Sequence, residues 1–170
     1  VAGLVRRARE GVAAGDHPGL LAIPATGYTV VDENRFPGLK AVDTTVDALG
    51  ATRRAVLTHS ANLHAKQSQG FDQTLAKAIR QLGELAATLA RGKTRRTKDK
   101  VQDAINRITA PRWADRVIST ELTGDTPAAF RLTWSIDDQA RGALETEQFG
   151  KRILITDHRD WPVAEVVAGP

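Results

Sequence analysis

The apolar positions of this chain change period several times, and each change marks an element. The strongest signal is a stripe in which Leu75, Leu82 and Leu89 recur every seven residues, with Ala78 and Leu85 between them and Phe71, Ile79 and Ala86 widening it. Residues spaced this way share one face of an α-helix, which predicts a long helix over about 62–91. Gly92 is placed to end it, because glycine takes the left-handed conformation that closes helices. A second helix is predicted over about 97–109, where Val101, Ala104, Ile105 and Ile108 repeat the helical spacing before Pro111 stops it. Two amphipathic helices joined this closely predict an antiparallel hairpin.

On either side of the hairpin the pattern is that of strands. Ala55, Val56 and Leu57 are consecutive apolar residues within Arg53 to His59, as in a strand covered on both faces. Leu20 to Ile23, Tyr28 to Val31 and Leu39 to Thr45 read as shorter strands, separated by the turn chemistry of Asp16-His17-Pro18-Gly19 and Phe36-Pro37-Gly38. After the hairpin, Phe130, Leu132, Trp134 and Ile136 alternate with polar residues, a strand with one buried face. Arg116 to Leu122 is its expected partner, with Gly124-Asp125 in the turn. Asp137 or Asp138 is expected to cap a short helix reaching about Gln148. Ile153, Leu154 and Ile155 suggest a central, parallel strand over Lys151 to Asp157, followed by a helix capped by Asp160 with Pro162 in its first turn.

The predicted fold class is therefore α/β (or α+β), in one structural domain with four parts. These are a strand-rich part (1–60), a helical hairpin (61–111), a β-hairpin with a short helix (112–148), and a strand with the start of a helix (149–170). Residues 1–15 show no persistent apolar face. A chain of 170 residues with 41% apolar and 26% charged positions can build a real core. No apolar run approaches the ~20 residues needed to span a bilayer, and there is no signal-peptide pattern. The absence of cysteine excludes disulfides and thiolate metal sites. The chain begins at Val1 without a methionine, and its last predicted helix has barely begun at Pro170. Both features lead us to expect an incomplete segment of a larger protein.

Charge changes the picture locally. Residues 91–100 hold six basic side chains and one acid, a net +5 against +4 for the whole chain, so everything else sums to −1. A concentrated patch can meet phosphate, and Lys93, Arg95, Arg96, Lys98 and Lys100 are the candidate DNA contacts. The same segment also reads as a solvated connection between helices.

Other candidates carry less. Gly92-Lys93-Thr94 has the ending of a phosphate-binding P-loop, but Ala87 stands where its first glycine belongs and a helix precedes it instead of a strand. His17, His59, His64 and His158 lack the spacing of a zinc site, with no third ligand near His59 and His64. Asp157 and Asp160 read as a turn and a helix cap rather than metal ligands. Trp134 reads as core and Trp161 as a staple for the last helix, while Trp113 stays open between core and a stacking surface for bases.

An ordered set of residues along about 16–169 resembles bacterial insertion-sequence transposases of the DDE type. It runs through Asp16-His17-Pro18, Leu20-Leu21, Ile23-Pro24, Arg53-Arg54-Ala55-Val56, Ala65-Lys66-Gln67 and Gly70-Phe71-Asp72. It continues through the Leu82/Leu85/Leu89 helix ending at Gly92, then Phe149-Gly150-Lys151-Arg152, Thr156-Asp157, Trp161 and Glu165-Val166-Val167. The resemblance implies an RNase H-like catalytic core in which two aspartates and a glutamate hold Mg²⁺ for in-line phosphoryl transfer. This chain looks like the insertion between the second aspartate and the glutamate, together with the strand that returns to the core. No residue here matches a catalytic position, so the segment alone is expected to be inactive and to bind no Mg²⁺. Pro170 stands where the family usually opens its Tyr–Arg–Glu–Lys signature, and residues 1–15 depart from its strand-like pattern.

The implied partners are transposon-end DNA and other copies of the transposase, with no membrane, in a bacterial cytoplasm. Two other functions stand beside this one. The Leu75/Leu82/Leu89 stripe could seat a partner helix, making the chain a non-enzymatic interaction module. An intact small hydrolase would announce itself by nicking DNA alone.

Overall fold

The apolar run at Ala55–Leu57 lies at the centre of a sheet. The computed structural model describes residues 5–7, 18–48 and 50–169. In chain order the elements are β1 (Val5–Arg7), α1 (Pro18–Leu21), β2 (Thr29–Val30), β3 (Leu39–Ala48), β4 (Ala51–Ser60), α2 (Ala61–Ala90), α3 (Lys98–Ile108), α4 (Ala114–Val117), β5 (Ile118–Thr123), β6 (Arg131–Ile136), α5 (Asp138–Gln148), β7 (Lys151–Thr156) and α6 (Val163–Ala168). Single 3-10 turns occupy Ala25–Gly27 and Pro127–Ala129. Helices and strands are both abundant, as the α+β reading expects. Contacts divide the chain into two compact units, residues 1–68 with 145–170 and residues 69–144, a grouping that differs from the four sequence segments.

In the first unit the strand order is β1-β7-β4-β3-β2. Every pairing is antiparallel, including β7 with β4, where Arg54 faces Thr156 and His59 faces Lys151. The parallel strand expected at Lys151–Asp157 is thus corrected. Three consecutive aliphatics report cover on both faces of a strand, and β7 has that cover; they carry no information about direction. Ile153 and Ile155 join Leu21, Tyr28, Ala55 and Leu57 on one face. Leu154 joins Ala41, Val56 and Val166 on the other, with Trp161, Val163 and Val167 packed alongside. Burying each such aliphatic side chain contributes roughly 1.5–3 kcal/mol.

Two further expectations change here. Leu20–Ile23 is not a strand: Pro18–Leu21 forms one helical turn, and the Ile23 amide donates to the Leu20 carbonyl at 3.2 Å. Proline suits a first helical turn, and a four-residue apolar run cannot separate strand from helix. Nor does Asp160 cap α6. The N-cap is Pro162, in extended conformation and with no side-chain cap bond. Trp161 does pack on the α6 side of the sheet, against the cluster that holds Val163 and Val167.

In the second unit most of the predicted stripe positions become buried faces, Phe71, Leu75, Ala78, Leu82 and Leu89 on α2 and Val101 and Ile105 on α3, but Ile79, expected to widen the α2 stripe, is exposed. β5 and β6 form the expected hairpin, in register from Ile118 opposite Ile136 to Thr123 opposite Arg131. Trp134 of β6 reaches α2 at Gly83, where an added Cβ would lie 3.8 Å from the indole. The Arg141–Asp72 ion pair, at 2.9 Å, ties α5 to α2. Asp137 is the cap of α5, accepting from the Ala140 amide at 3.0 Å.

Candidate nucleic-acid interface

The basic segment is built by the end of one helix and the start of the next. After α2 the backbone at Gly92 turns left-handed, with φ +67°, and its amide donates to the Leu89 carbonyl at 3.0 Å. A residue with a Cβ is strained in that conformation. The connection is then pinned twice by threonines. Thr94 Oγ1 accepts from the Arg96 amide at 3.3 Å, and Thr97 Oγ1 caps α3 by accepting from the Lys100 amide at 3.3 Å. A cap of this kind contributes about 1 kcal/mol.

All the cations of the segment are exposed: Arg91, Lys93, Arg95, Arg96, Lys98 and Lys100. None forms an ion pair among the described residues. Lys98 and Lys100 also sit in the first turn of α3, at the positive end of the helix dipole, where a cation is disfavoured by about 0.3–1 kcal/mol at low salt. Asp99, in the same turn, offsets part of that repulsion, and an anion at this end would relieve the rest. The P-loop likeness of Gly92-Lys93-Thr94 ends at the sequence, because Gly92 closes a helix here instead of following a strand.

The histidines are arranged otherwise than their spacing suggested. His59 Nε2 lies 3.0 Å from His64 Nδ1, and His64 Nε2 lies 2.8 Å from Glu145 Oε1. Glu145 comes from α5, a distant stretch of the chain, and bonds His64 in a relay rather than joining both histidines around a metal position. Gly150 presses its backbone against the pair; a Cβ there would meet Ser60 O at 2.7 Å and His64 Cβ at 2.8 Å. Burial, then the neighbouring His64, Lys151 and Lys40, hold the His59 imidazole below its usual pKa. His158 stacks on Trp161 at 3.7 Å between ring centroids, and its Nε2 is buried without a partner among the described residues. His17 lies outside the described residues.

Asp157 and Asp160 are both exposed. Among the described residues no group of three or more His, Asp or Glu side chains converges to hold a metal ion. Trp113 is half-buried, with the Arg112 guanidinium over its ring at 4.1 Å. No helix among the described residues is long and apolar enough to cross a membrane. Comparison with family models, with curated proteins and with solved structures found no match to this chain.

Proposed function

We propose that this chain supplies DNA contacts and active-site scaffolding to a DNA transposase of the DDE type, with an RNase H-like core. Its DNA contacts are Lys93, Arg95, Arg96, Lys98 and Lys100. One observation carries the reading: six cations on the α2–α3 connection are exposed and without ion pairs among the described residues. Cations not spent on the protein's own carboxylates are free to displace counterions from phosphate. The ordered residues that resemble insertion-sequence transposases support the parent activity.

Contacts of this kind are indifferent to base sequence and sensitive to salt. Replacing the five residues with Gln should weaken duplex binding and lower the slope of log affinity against log salt by about one unit for each phosphate interaction removed. Fluorescence anisotropy over a salt series reads both, and unchanged binding removes the connection from the DNA interface. Strand cleavage is assigned to the parent enzyme with its Mg²⁺. Nicking of supercoiled plasmid by this chain alone in Mg²⁺ would overturn that division of labour. The partner-helix reading loses its support, because Leu75, Leu82 and Leu89 are buried within the chain itself.

A further inference from the structure

The basic connection does not stand alone at its end of the second unit. A Cβ added to Gly92 would lie 3.5 Å from the Ala128 carbonyl oxygen and 3.8 Å from Ala128 Cα. The connection thus rests on the single 3-10 turn between β5 and β6. The same carbonyl oxygen accepts from Arg131 Nη1 at 3.2 Å, and the Phe130 carbonyl accepts from that nitrogen at 2.7 Å. Arg131 is exposed and forms no ion pair among the described residues. Its guanidinium is folded back over the turn by one nitrogen, which leaves Nε and Nη2 without partners among the described residues. Asp125 is the one acid at 124–130 and offsets Arg131 in the sum, so what the hairpin adds beside the connection is a single exposed guanidinium.

We infer that Arg131 belongs to the same phosphate-binding surface as the α2–α3 connection, joined to it at the Ala128 carbonyl, so that helix connection and β-hairpin turn grip one DNA backbone together. The inference rests on the proposed DNA function and adds a second element to its surface. The physical case is preorganisation. A free lysine or arginine on the connection loses rotamer freedom when it meets phosphate. Arg131 is already held by two carbonyls, and its remaining N–H groups present a planar edge suited to a phosphate. Arg131 therefore contributes more per residue than any single cation of the connection. Lysine is a poor replacement, because its one ammonium nitrogen would have to serve both the carbonyls and the phosphate, whereas arginine divides the two tasks among its nitrogens.

The test is duplex binding by anisotropy across a salt series, on the whole chain. Arg131→Gln is expected to lower affinity about threefold to tenfold and the salt slope by about one unit, with Arg131→Lys restoring less than half of that affinity. Lys77→Gln removes an equal charge from an exposed site on α2, 14 residues before Arg91 and so about 20 Å along the helix; it is expected to leave binding unchanged. Unchanged binding by Arg131→Gln, full rescue by lysine, or an equal loss from Lys77→Gln each overturns the inference. If Arg131→Gln is silent while the five-residue variant loses binding, the hairpin is excluded and the DNA function stands. If the five-residue variant is silent too, that function falls with it.

Discussion

Arg54 and the cations of residues 91–100 are chemically alike and are used in opposite ways. The Arg54 side chain is 12% exposed and its donors are engaged. Nε and Nη2 meet the Asp43 carboxylate, at 2.6 Å for the shortest contact, while Nη1 donates to the carbonyls of His158, Arg159 and Trp161 at 3.0, 3.4 and 2.6 Å. One guanidinium thus ties β3 and β4 to the loop after β7. On the α2–α3 connection, six cations are exposed and form no ion pair among the described residues. An arginine whose hydrogen bonds are satisfied internally is part of the architecture. One whose bonds are not is available to a ligand, and the contrast is open to mutation.

The largest expected effect on stability is at the satisfied site. Arg54→Leu should cost about 3 kcal/mol, since it removes an ion pair and leaves three carbonyls without their charged donor. Chemical denaturation reads this, and a loss below about 1 kcal/mol would make Arg54 an ordinary surface cation. Gly150→Ala should follow at roughly 2 kcal/mol, because its φ of +76° disfavours a side chain and the added Cβ collides with the Ser60 carbonyl and the histidine pair. A stable Gly150→Ala protein would mean that the junction of α5 and β7 yields easily.

A smaller effect depends on pH. The folded protein holds His59 below the ordinary imidazole pKa, so the unfolded chain takes up its proton first as pH falls. The stability this contributes is complete above the unfolded pKa and is lost as pH drops through the folded one. Between about pH 7 and 5, the range in which histidine titrates, the wild-type melting temperature should therefore fall more than that of His59→Asn; parallel curves would show that His59 is not linked to folding. Smallest of all, the five-residue Gln variant of the connection should melt with the wild type or slightly above it, since it takes two lysines from the positive end of α3. A clear drop would mean that those cations are structural after all, and the contrast with Arg54 would collapse.

Long elements with one clear period were legible in the sequence. The α2 stripe (Ile79 apart), the alternation in β6 and the apolar run of β4 fell where periodicity put them, because each reports a single local fact, which face is covered. The direction of β7 was hidden, since covered faces look alike in parallel and antiparallel sheets. α1 was misread because four apolar residues fit either period. At the candidate interface the exposure of Arg95 and Lys98 follows from composition alone, but Arg131 does not: the alternating pattern of β6 marks it as an outward residue and nothing more. Glu145 could not be found from His64, 81 positions earlier, nor the loop carbonyls from Arg54. Pairings made by the sheet leave no local trace.

The neighbouring strands β4 and β7 join His59 to Lys151, 92 positions apart along the chain. A growing or refolding chain therefore cannot complete the first unit's sheet until everything between them has been made. Closing so long a loop is entropically costly while the intervening residues are unfolded, and non-local strand pairing is slow. The helices and the β5–β6 hairpin of residues 69–144 make mostly nearer contacts and can form beforehand, shortening the effective loop. Pulse-labelled hydrogen exchange should find amides of α2 and β6 protected before those that bond β4 to β7, so that the middle of the sequence folds first and its two ends meet last.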